Sequence, residues 1–579
     1  MEARENNFNF IRDEKRIVIP FFQRAYVWKD IHWNQLLKDL KCSFLEKKEH
    51  FLGSIILKRG GVDNCSIIID GQQRLTTFSI LIKVLCDFLK EQEKNYFKDY
   101  LFENFTIDKP KINHSKLDKE KYEKVLKNKE NLKDQKNLEY KDGIFGCFNY
   151  FNKEIKNNFN NIDLFEFTKY IIESKLWVIV CLNANEDEQK IFDSINSTGQ
   201  KLSSTDIIKN ALFDKVIKIT DEDRAMQYYE KYWDSIFEKD EKEQEFWNEE
   251  IESGRVKRSK SEIFLHSYAI IKGIFNSDSD SLSNLSSLYK DYIKNLKENE
   301  LKNLLSELKD YAKIYRNFPD INKETVLKYE NYELRFFHII YTYSMNTVLP
   351  LTLFLRKILE KKENIYKQCL YLLEILMMCN FETKDYNKFF SKVIKKIQKV
   401  NFDDIVNIMR IEIFDRYGKC FNKKEIEKWL TSIDNYDAKF VLFWIELYRQ
   451  DKNKDYKDNT LGLNYVYTLE HLLPKSWKDN WNDIISNEED AEKFIYQIGN
   501  MTLLKGKLNT SLKNQNWQFK LNGDGKVKNY ISKNADLLIN KELLDKKSWD
   551  TKEIEKRTKK CIDDFFEIWD VDIFNKNNE

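Results

Sequence analysis

The chain has 579 residues, enough for about four domains at the common ~150 residues each. Its 97 Lys and Arg stand against 95 Asp and Glu, a formal net charge of +2 that excludes a uniformly basic coat; any nucleic-acid contact must come from a local patch. Hydrophobic residues at 42% and aromatics at 14% exclude a disordered chain, and only 15 Gly and 5 Pro disfavour an all-β or solenoid design.

The basic residues are 81 Lys and only 16 Arg, so each Arg carries more information than each Lys. Nine Cys are scattered singly with no C-x-x-C, which points to reduced thiols in a cytoplasmic protein. The first residues are polar and charged, unlike a signal peptide. The most apolar stretch, residues 370–379, is about half a membrane span and contains Glu374. A soluble protein with no membrane partner is expected.

In chain order, β-like runs at residues 17–20, 51–58 and 66–70 alternate with a helical stretch from Lys29 to Lys47. A second helix carries Phe78, Leu81, Ile82 and Leu85 at helical spacing. Residues 90–170 are mostly helical in pattern. A lone apolar run at 176–182 must pair somewhere, and the N-terminal sheet is its expected partner. Residues 220–450 read as helix after helix, with breaks at 253–261 and 276–287. A charged linker at 451–459 precedes a strand-like run at 465–469 and mixed signals to the end. The expected fold is α+β and predominantly helical: a mixed α/β domain over 1–215, an all-helical middle over 216–450, and a third domain over 451–579.

Of six His, only His471 has suggestive neighbours. It sits beside Glu470 at an expected strand end closed by Pro474, in the pattern E-H-x-x-P. Downstream follow G-N-M-T-L-L, carrying Asn500, and a segment with Asn509 and Asn514. A carboxylate next to an imidazole suits metal-assisted phosphodiester hydrolysis. One carboxylate and one amide oxygen suffice for Mg²⁺, which keeps several waters. Residues 501–533 hold Lys505, Lys507, Lys513, Lys520, Lys526, Lys528 and Lys533 against Asp524 alone. That cluster is a candidate DNA-binding patch, read here through Lys505, Lys507, Lys513 and Lys520.

The N-terminal region carries I-P-F-F-Q-R-A-Y-V-W, with Gln23 and Arg24, and then D-G-Q-Q-R-L-T-T from Asp70. Asp70 ends an apolar run and Gly71 permits a tight turn. Gln72, Gln73, Arg74, Thr76 and Thr77 then fall at an expected helix N-terminus, where free N–H groups favour anions. This is a candidate phosphate or nucleotide site without a Walker loop.

Residues 465–520 resemble the HNH nuclease domain at the C-terminus of GmrSD-type, modification-dependent (type IV) restriction enzymes, a domain of the ββα-metal class. The two N-terminal motifs, with a later series Phe192, Asn196, Gly199, Leu202, Asp206 and Lys209, resemble the ParB-like N-terminal domain of the same family. The resemblance implies His471 as general base, Glu470 and Asn509 as ligands of one Mg²⁺ or Mn²⁺, and Asn500 as a brace for the loop that carries the His. Asn514 ranks second to Asn509 as the amide ligand. It also implies nucleotide binding and hydrolysis (GTP, ATP or another NTP) near Asp70, Gly71, Gln72, Gln73, Arg74, Gln23 and Arg24. The expected protein is an antiphage endonuclease acting on phage DNA, modified DNA foremost, and regulated by nucleotide. Two alternatives stand beside it: a nucleotide-hydrolysing sensor whose nuclease domain only binds DNA, and an abortive-infection effector that degrades host nucleic acid. One cutting site per chain severs one strand at a time, so a homo-oligomer is a compatible partner for double-strand cleavage.

Overall fold

A six-stranded mixed sheet gathers the apolar runs of the first 182 residues and adds a polar edge strand. In the computed structural model its order is β1 (Glu2–Asn6), β6 (Trp177–Leu182), β3 (Gly53–Lys58), β4 (Ser66–Asp70), β2 (Ile17–Val18) and β5 (Ile112–Asn113). The structure describes residues 2–47, 50–59, 65–103, 109–127, 143–182, 203–253, 256–380, 385–453, 462–525 and 530–574. The lone run at 176–182 does return to this sheet, antiparallel to β1 and parallel to β3.

Helices α1 (Asp30–Glu46), α2 (Gln72–Phe88) and α3 (Gly143–Asn158) belong to the same unit. Leu75, Phe78, Leu81, Ile82 and Leu85 of α2 are all fully buried, as are Ile80 and Val84 between them. A helix apolar on every side belongs inside a core. Phe78 is the hub, its ring 4.6 Å from that of Phe8 and 5.2 Å from that of Trp177. This rigid burial fixes the first turn of α2, where the D-G-Q-Q-R motif lies. Helix α4 (Ser204–Ile219) follows, capped by the Ser203 hydroxyl, which accepts from the backbone N–H of Asp206.

Contacts divide the chain into Met1–Lys231 with Lys290–Leu301, and Tyr232–Tyr289 with Lys302–Glu579. The second unit is helical but not wholly so, which corrects the all-helical middle. A hairpin, β7 (Glu250–Ser253) with β8 (Val256–Ser259), occupies the break expected at 253–261, and β9 (Val326–Leu327) pairs with β10 (Leu463–Asn464). Strands of two to four mostly polar residues carry too few apolar positions for alternation to register. Helices α5 (Lys260–Lys272), α6 (Tyr332–Tyr343) and α7 (Glu363–Cys379) form part of its core.

Within α7, Glu374 is fully buried and accepts from the Arg335 guanidinium at 2.7 Å. The apolar stretch at 370–379 is therefore a core helix with a paired charge. Among the described residues no helix is long and apolar enough to cross a membrane.

Helix α8 (Asn435–Lys452) is buried over most of its length and packs against the last segment of the chain. The helical region and the segment after it thus share one compact unit. The strand expected at 465–469 lies further on, as β11 (Thr468–His471). Tyr465 instead places its ring 4.6 Å from His338 and 5.0 Å from Phe443, so its apolarity serves helix packing. β11 pairs antiparallel with β12 (Met501–Leu504), which is followed by α9 (Gly506–Leu512), α10 (Trp517–Asn522) and α11 (Thr551–Ile568).

Candidate active site

β11, β12 and α9 form a strand–strand–helix unit, with Glu470 opposite Thr502 and His471 opposite Met501. Immediately after His471 the chain is clamped by Asn500, whose side chain is fully buried. Its Oδ1 accepts from the backbone N–H of Leu473 at 2.8 Å and from Trp549 Nε1 at 3.1 Å. Its Nδ2 donates to the carbonyls of Leu473 at 2.9 Å and Ile495 at 3.0 Å. Two bonds at the oxygen and two at the nitrogen use the full capacity of the amide. Asn500 therefore braces the loop that carries His471.

The glycine before it is required by packing. A Cβ on Gly499 would stand 2.3 Å from the backbone nitrogen of Thr558 and 2.6 Å from the carbonyl of Ile554. Arg557 of α11 ties the same turn down, donating to the carbonyls of Gly499 at 2.7 Å and Met501 at 2.6 Å. Its partner Glu542 is pushed up by burial but held at about 2 by Arg557 and Arg449.

Asn509 sits on α9 and donates from Nδ2 to the Leu469 carbonyl at 2.8 Å and to Thr468 Oγ1 at 3.0 Å. Both bonds run through the nitrogen, so the oxygen remains as the side chain's acceptor. Glu470 is buried, and its Oε1 accepts from Lys520 Nζ at 2.6 Å. Lys520 is fully enclosed and also donates to the His471 carbonyl at 2.8 Å. Burial pushes the Glu470 carboxyl up and the Lys520 ammonium down, and their mutual contact opposes both shifts.

His471 is the unspent group. Its Nε2 is buried with no hydrogen-bond partner among the described residues. Burial first, then the charges of Lys475 and Lys520, push its pKa down to about 4, so the imidazole is neutral at pH 7. The Tyr496 ring meets it edge-on at 6.0 Å, and Lys475 lies 5.0 Å from that ring's centre. Lys475 and Tyr496 also line a cavity of about 440 Å³, together with Trp477 and Lys478.

These groups fit a hard divalent cation that keeps its waters. β11 carries an imidazole nitrogen and a carboxylate, and α9 carries an amide oxygen, donors of the kind that such an ion takes. Among the described residues no three His, Cys, Asp or Glu side chains cluster in a way that could hold a metal. A cation here would thus rest on Glu470, Asn509 and solvent.

The expected basic patch is only partly a surface feature. Lys507 and Lys513 are exposed, and Lys505 pairs with Asp536 at 2.7 Å. Lys520 does not join them, since it lies beneath Glu470. Lys526 and Lys528 lie outside the described residues. The backbone carbonyl of Asn514 accepts from Asn480 at 3.0 Å.

The first unit holds a second polar site at the junction of β4 and α2. Gly71 takes a φ of +93°, and a Cβ there would press on the carbonyl of Ser54 at 3.1 Å. Arg74 reaches back to Asp70 at 2.9 Å and passes so close to Gly53 that a Cβ would stand 2.4 Å from its Nη1. Gln73 Oε1 accepts from the Val27 N–H at 2.9 Å, while its Nε2 donates to the Ala25 carbonyl at 3.2 Å. Gln72 reaches Gln23 at 3.4 Å. The Q-R-x-Y-x-W loop and the D-G-Q-Q-R turn are thus one structure.

The two threonines do not face an anion as expected. Thr76 pairs with His114 Nε2 at 2.9 Å, and Thr77 donates to the Gln73 carbonyl at 2.7 Å. Both are fully buried. Arg24 is lowered by burial, against the opposing charges of Asp206 and Asp70. Lys209, nearly fully buried, stands 3.8 Å from Asp206. Asp206 and Lys209 therefore join Arg24, Asp70 and Arg74 in one charged cluster, which among the described residues holds three cations and two acids. Phe192, Asn196, Gly199 and Leu202 lie outside the described residues.

A predominantly helical α+β protein with a built polar site among the described residues of each unit is the class that these features define. Residues 7–213 match the model of the GmrSD restriction endonuclease N-terminal domain, and residues 415–563 that of the GmrSD restriction endonucleases' C-terminal domain. The chain belongs to the GmrSD restriction endonuclease family, and DNA is its substrate class. No curated protein matches it. The C-terminal match begins at residue 415, inside the helical region, in keeping with α8 packing on the segment after it.

Proposed function

We propose that this chain is an antiphage DNA endonuclease of the HNH kind, with its cutting site at His471 and its regulatory nucleotide site at the β4–α2 junction. The observation that carries the first part is the buried, partnerless Nε2 of His471 on a loop locked by Asn500. A neutral imidazole with an open acceptor is placed to take a proton from water. Asn500 and Arg557 hold the loop so that this acceptor does not wander. Glu470 and Asn509 would hold Mg²⁺ or Mn²⁺, which when bound supplies charge stabilisation at the phosphate and the leaving oxygen. Lys507 and Lys513 are the exposed cations for the DNA backbone, with Lys505 available once it leaves Asp536.

In the first unit, Arg24, Arg74 and Lys209 are the cations that would meet the phosphates of an NTP, GTP and ATP included. Gln72, Gln73 and Gln23 hold the loops that present them. Modified phage DNA is the substrate in which nucleotide control has a purpose, because a self/non-self decision precedes cutting.

The test is a cleavage assay on unmodified and glucosylated phage DNA, with each NTP and without. Wild-type cleavage should depend on both substrate modification and nucleotide, and Arg74→Ala should lose the nucleotide dependence. Equal cleavage of all substrates with and without nucleotide would refute the regulated reading.

A further inference from the structure

Lys520 has no part in the reading above as a surface cation, and its burial asks for another. Its side chain is fully enclosed beneath β11. A buried ion pair is weak evidence for stability, because apolar residues of similar volume commonly serve as well or better. Trp517 and Leu521 on the same short helix are buried apolar residues, so an apolar side chain at 520 would continue an existing core. The ammonium is instead spent on two consecutive residues of β11: the carboxylate of Glu470 at 2.6 Å and the main-chain carbonyl of His471 at 2.8 Å. It engages Oε1 of Glu470 alone, which leaves Oε2 as the oxygen for coordination.

We propose that Lys520 is a positioning residue that holds Glu470 by one oxygen, so that the carboxylate serves a divalent ion through the other oxygen only. This inference rests on the metal-dependent reading of the His471 site and deepens it by naming what selects the ion. Mg²⁺ and Mn²⁺ accept few protein oxygens and retain water, whereas Ca²⁺ takes six to eight oxygens and often a bidentate carboxylate. Occupying Oε1 removes the bidentate option. The same ammonium fixes the carbonyl of His471, so ion choice and placement of the base share one anchor.

The experiment measures Mn²⁺ binding to the full chain by electron paramagnetic resonance, without DNA or nucleotide and with Ca²⁺ as competitor. Wild type should prefer Mn²⁺. Lys520→Met should lower the Mn²⁺:Ca²⁺ preference at least tenfold, because both oxygens of Glu470 become available. A merely structural role would lower the unfolding temperature and leave the ratio alone, so a folded Lys520→Met with the wild-type ratio overturns the proposal. If Lys520→Met does not fold, Lys520→Gln decides: a shift of at least threefold in the same direction supports the proposal, and an unchanged ratio overturns it. Glu470→Gln separates the two levels. It should weaken Mn²⁺ binding at least tenfold; wild-type Mn²⁺ binding in that variant refutes the metal site itself, whatever Lys520 does.

Discussion

At the β4–α2 junction the motif residues are consumed by the structure that they hold. Gln73 is spent on Val27 and Ala25, Thr77 on the Gln73 carbonyl, Thr76 on His114, and Arg74 on Asp70. Around β11 the same kinds of residue are spent just as fully, with Asn500 making four bonds, yet one buried nitrogen is left open at His471. A dense polar motif marks a place where the chain is held to close tolerance, and the reactive atom is the one that the holding leaves unspent. In the first unit the described motif residues leave a charged cluster of Arg24, Arg74 and Lys209 with Asp70 and Asp206.

The sharpest break of this contrast sets Asn500 against Asn509. Asn500→Ala leaves four buried partners without a bond and should cost about 4 kcal/mol of stability, read from the urea midpoint. Asn509→Ala removes two bonds at a half-buried position and should cost less than about 1 kcal/mol while abolishing cleavage. Equal costs would erase the distinction between brace and ligand.

Gly499→Ala sharpens the same point from the backbone side. Its Cβ meets main-chain atoms of Thr558 and Ile554 that cannot swing away, so a loss of about 2–3 kcal/mol is expected by denaturant titration.

In the first unit, Gln73→Ala should cost about 2 kcal/mol, because the Val27 N–H and the Ala25 carbonyl lose their partner. Arg74→Ala should weaken NTP binding at least tenfold by calorimetry at a smaller stability cost. If Gln73→Ala proved neutral, the glutamines would be free for ligand and the contrast with the second unit would fail.

Acid sensitivity gives a further comparison. Burial pushes His114 down to about 3, from an ordinary value near 6.5. A depressed folded value means that the unfolded chain binds the proton first. Its stabilisation is therefore complete above pH 6.5 and is lost as pH falls toward 3. Wild type should lose about 2 kcal/mol more than His114→Gln between pH 7 and 5. Parallel stability curves for the two would contradict the buried neutral state. The smallest effect belongs to the surface: Lys507→Ala and Lys513→Ala should each lower the slope of log K against log salt by about 0.9 for duplex DNA.

Much of this was legible in the sequence. The period of Phe78, Leu81, Ile82 and Leu85 marks a buried helix, and the lone run at 176–182 had to find a sheet. The family resemblance carried by E-H-x-x-P and G-N-M-T-L-L pointed to Asn500 as a brace, and its side chain does bond the loop after His471. Lys520 was misplaced because a count of lysines does not see which face of a helix they occupy. The available signal was its position three residues after Trp517 and beside Leu521, on the apolar side of α10. Arg557 carried a similar signal, falling between Ile554 and Cys561 on the buried stripe of α11. Trp549 and Thr558 are tied to Asn500 and Gly499 across 49 and 59 residues, a distance at which no local pattern speaks. The hairpin at 250–259 escaped because its strands carry one apolar residue each, Ile251 and Val256, too few for alternation to register.

The most direct measurement is single-turnover cleavage of duplex DNA at saturating Mn²⁺, wild type against His471→Ala, with DNA affinity and unfolding temperature measured on the same samples. If His471 Nε2 is the atom that takes the proton, the variant should cut about a thousandfold more slowly while binding DNA within threefold of wild type and unfolding at nearly the same temperature. Cleavage by His471→Ala at the wild-type rate would contradict the assignment and move the search for the cutting site elsewhere in the chain.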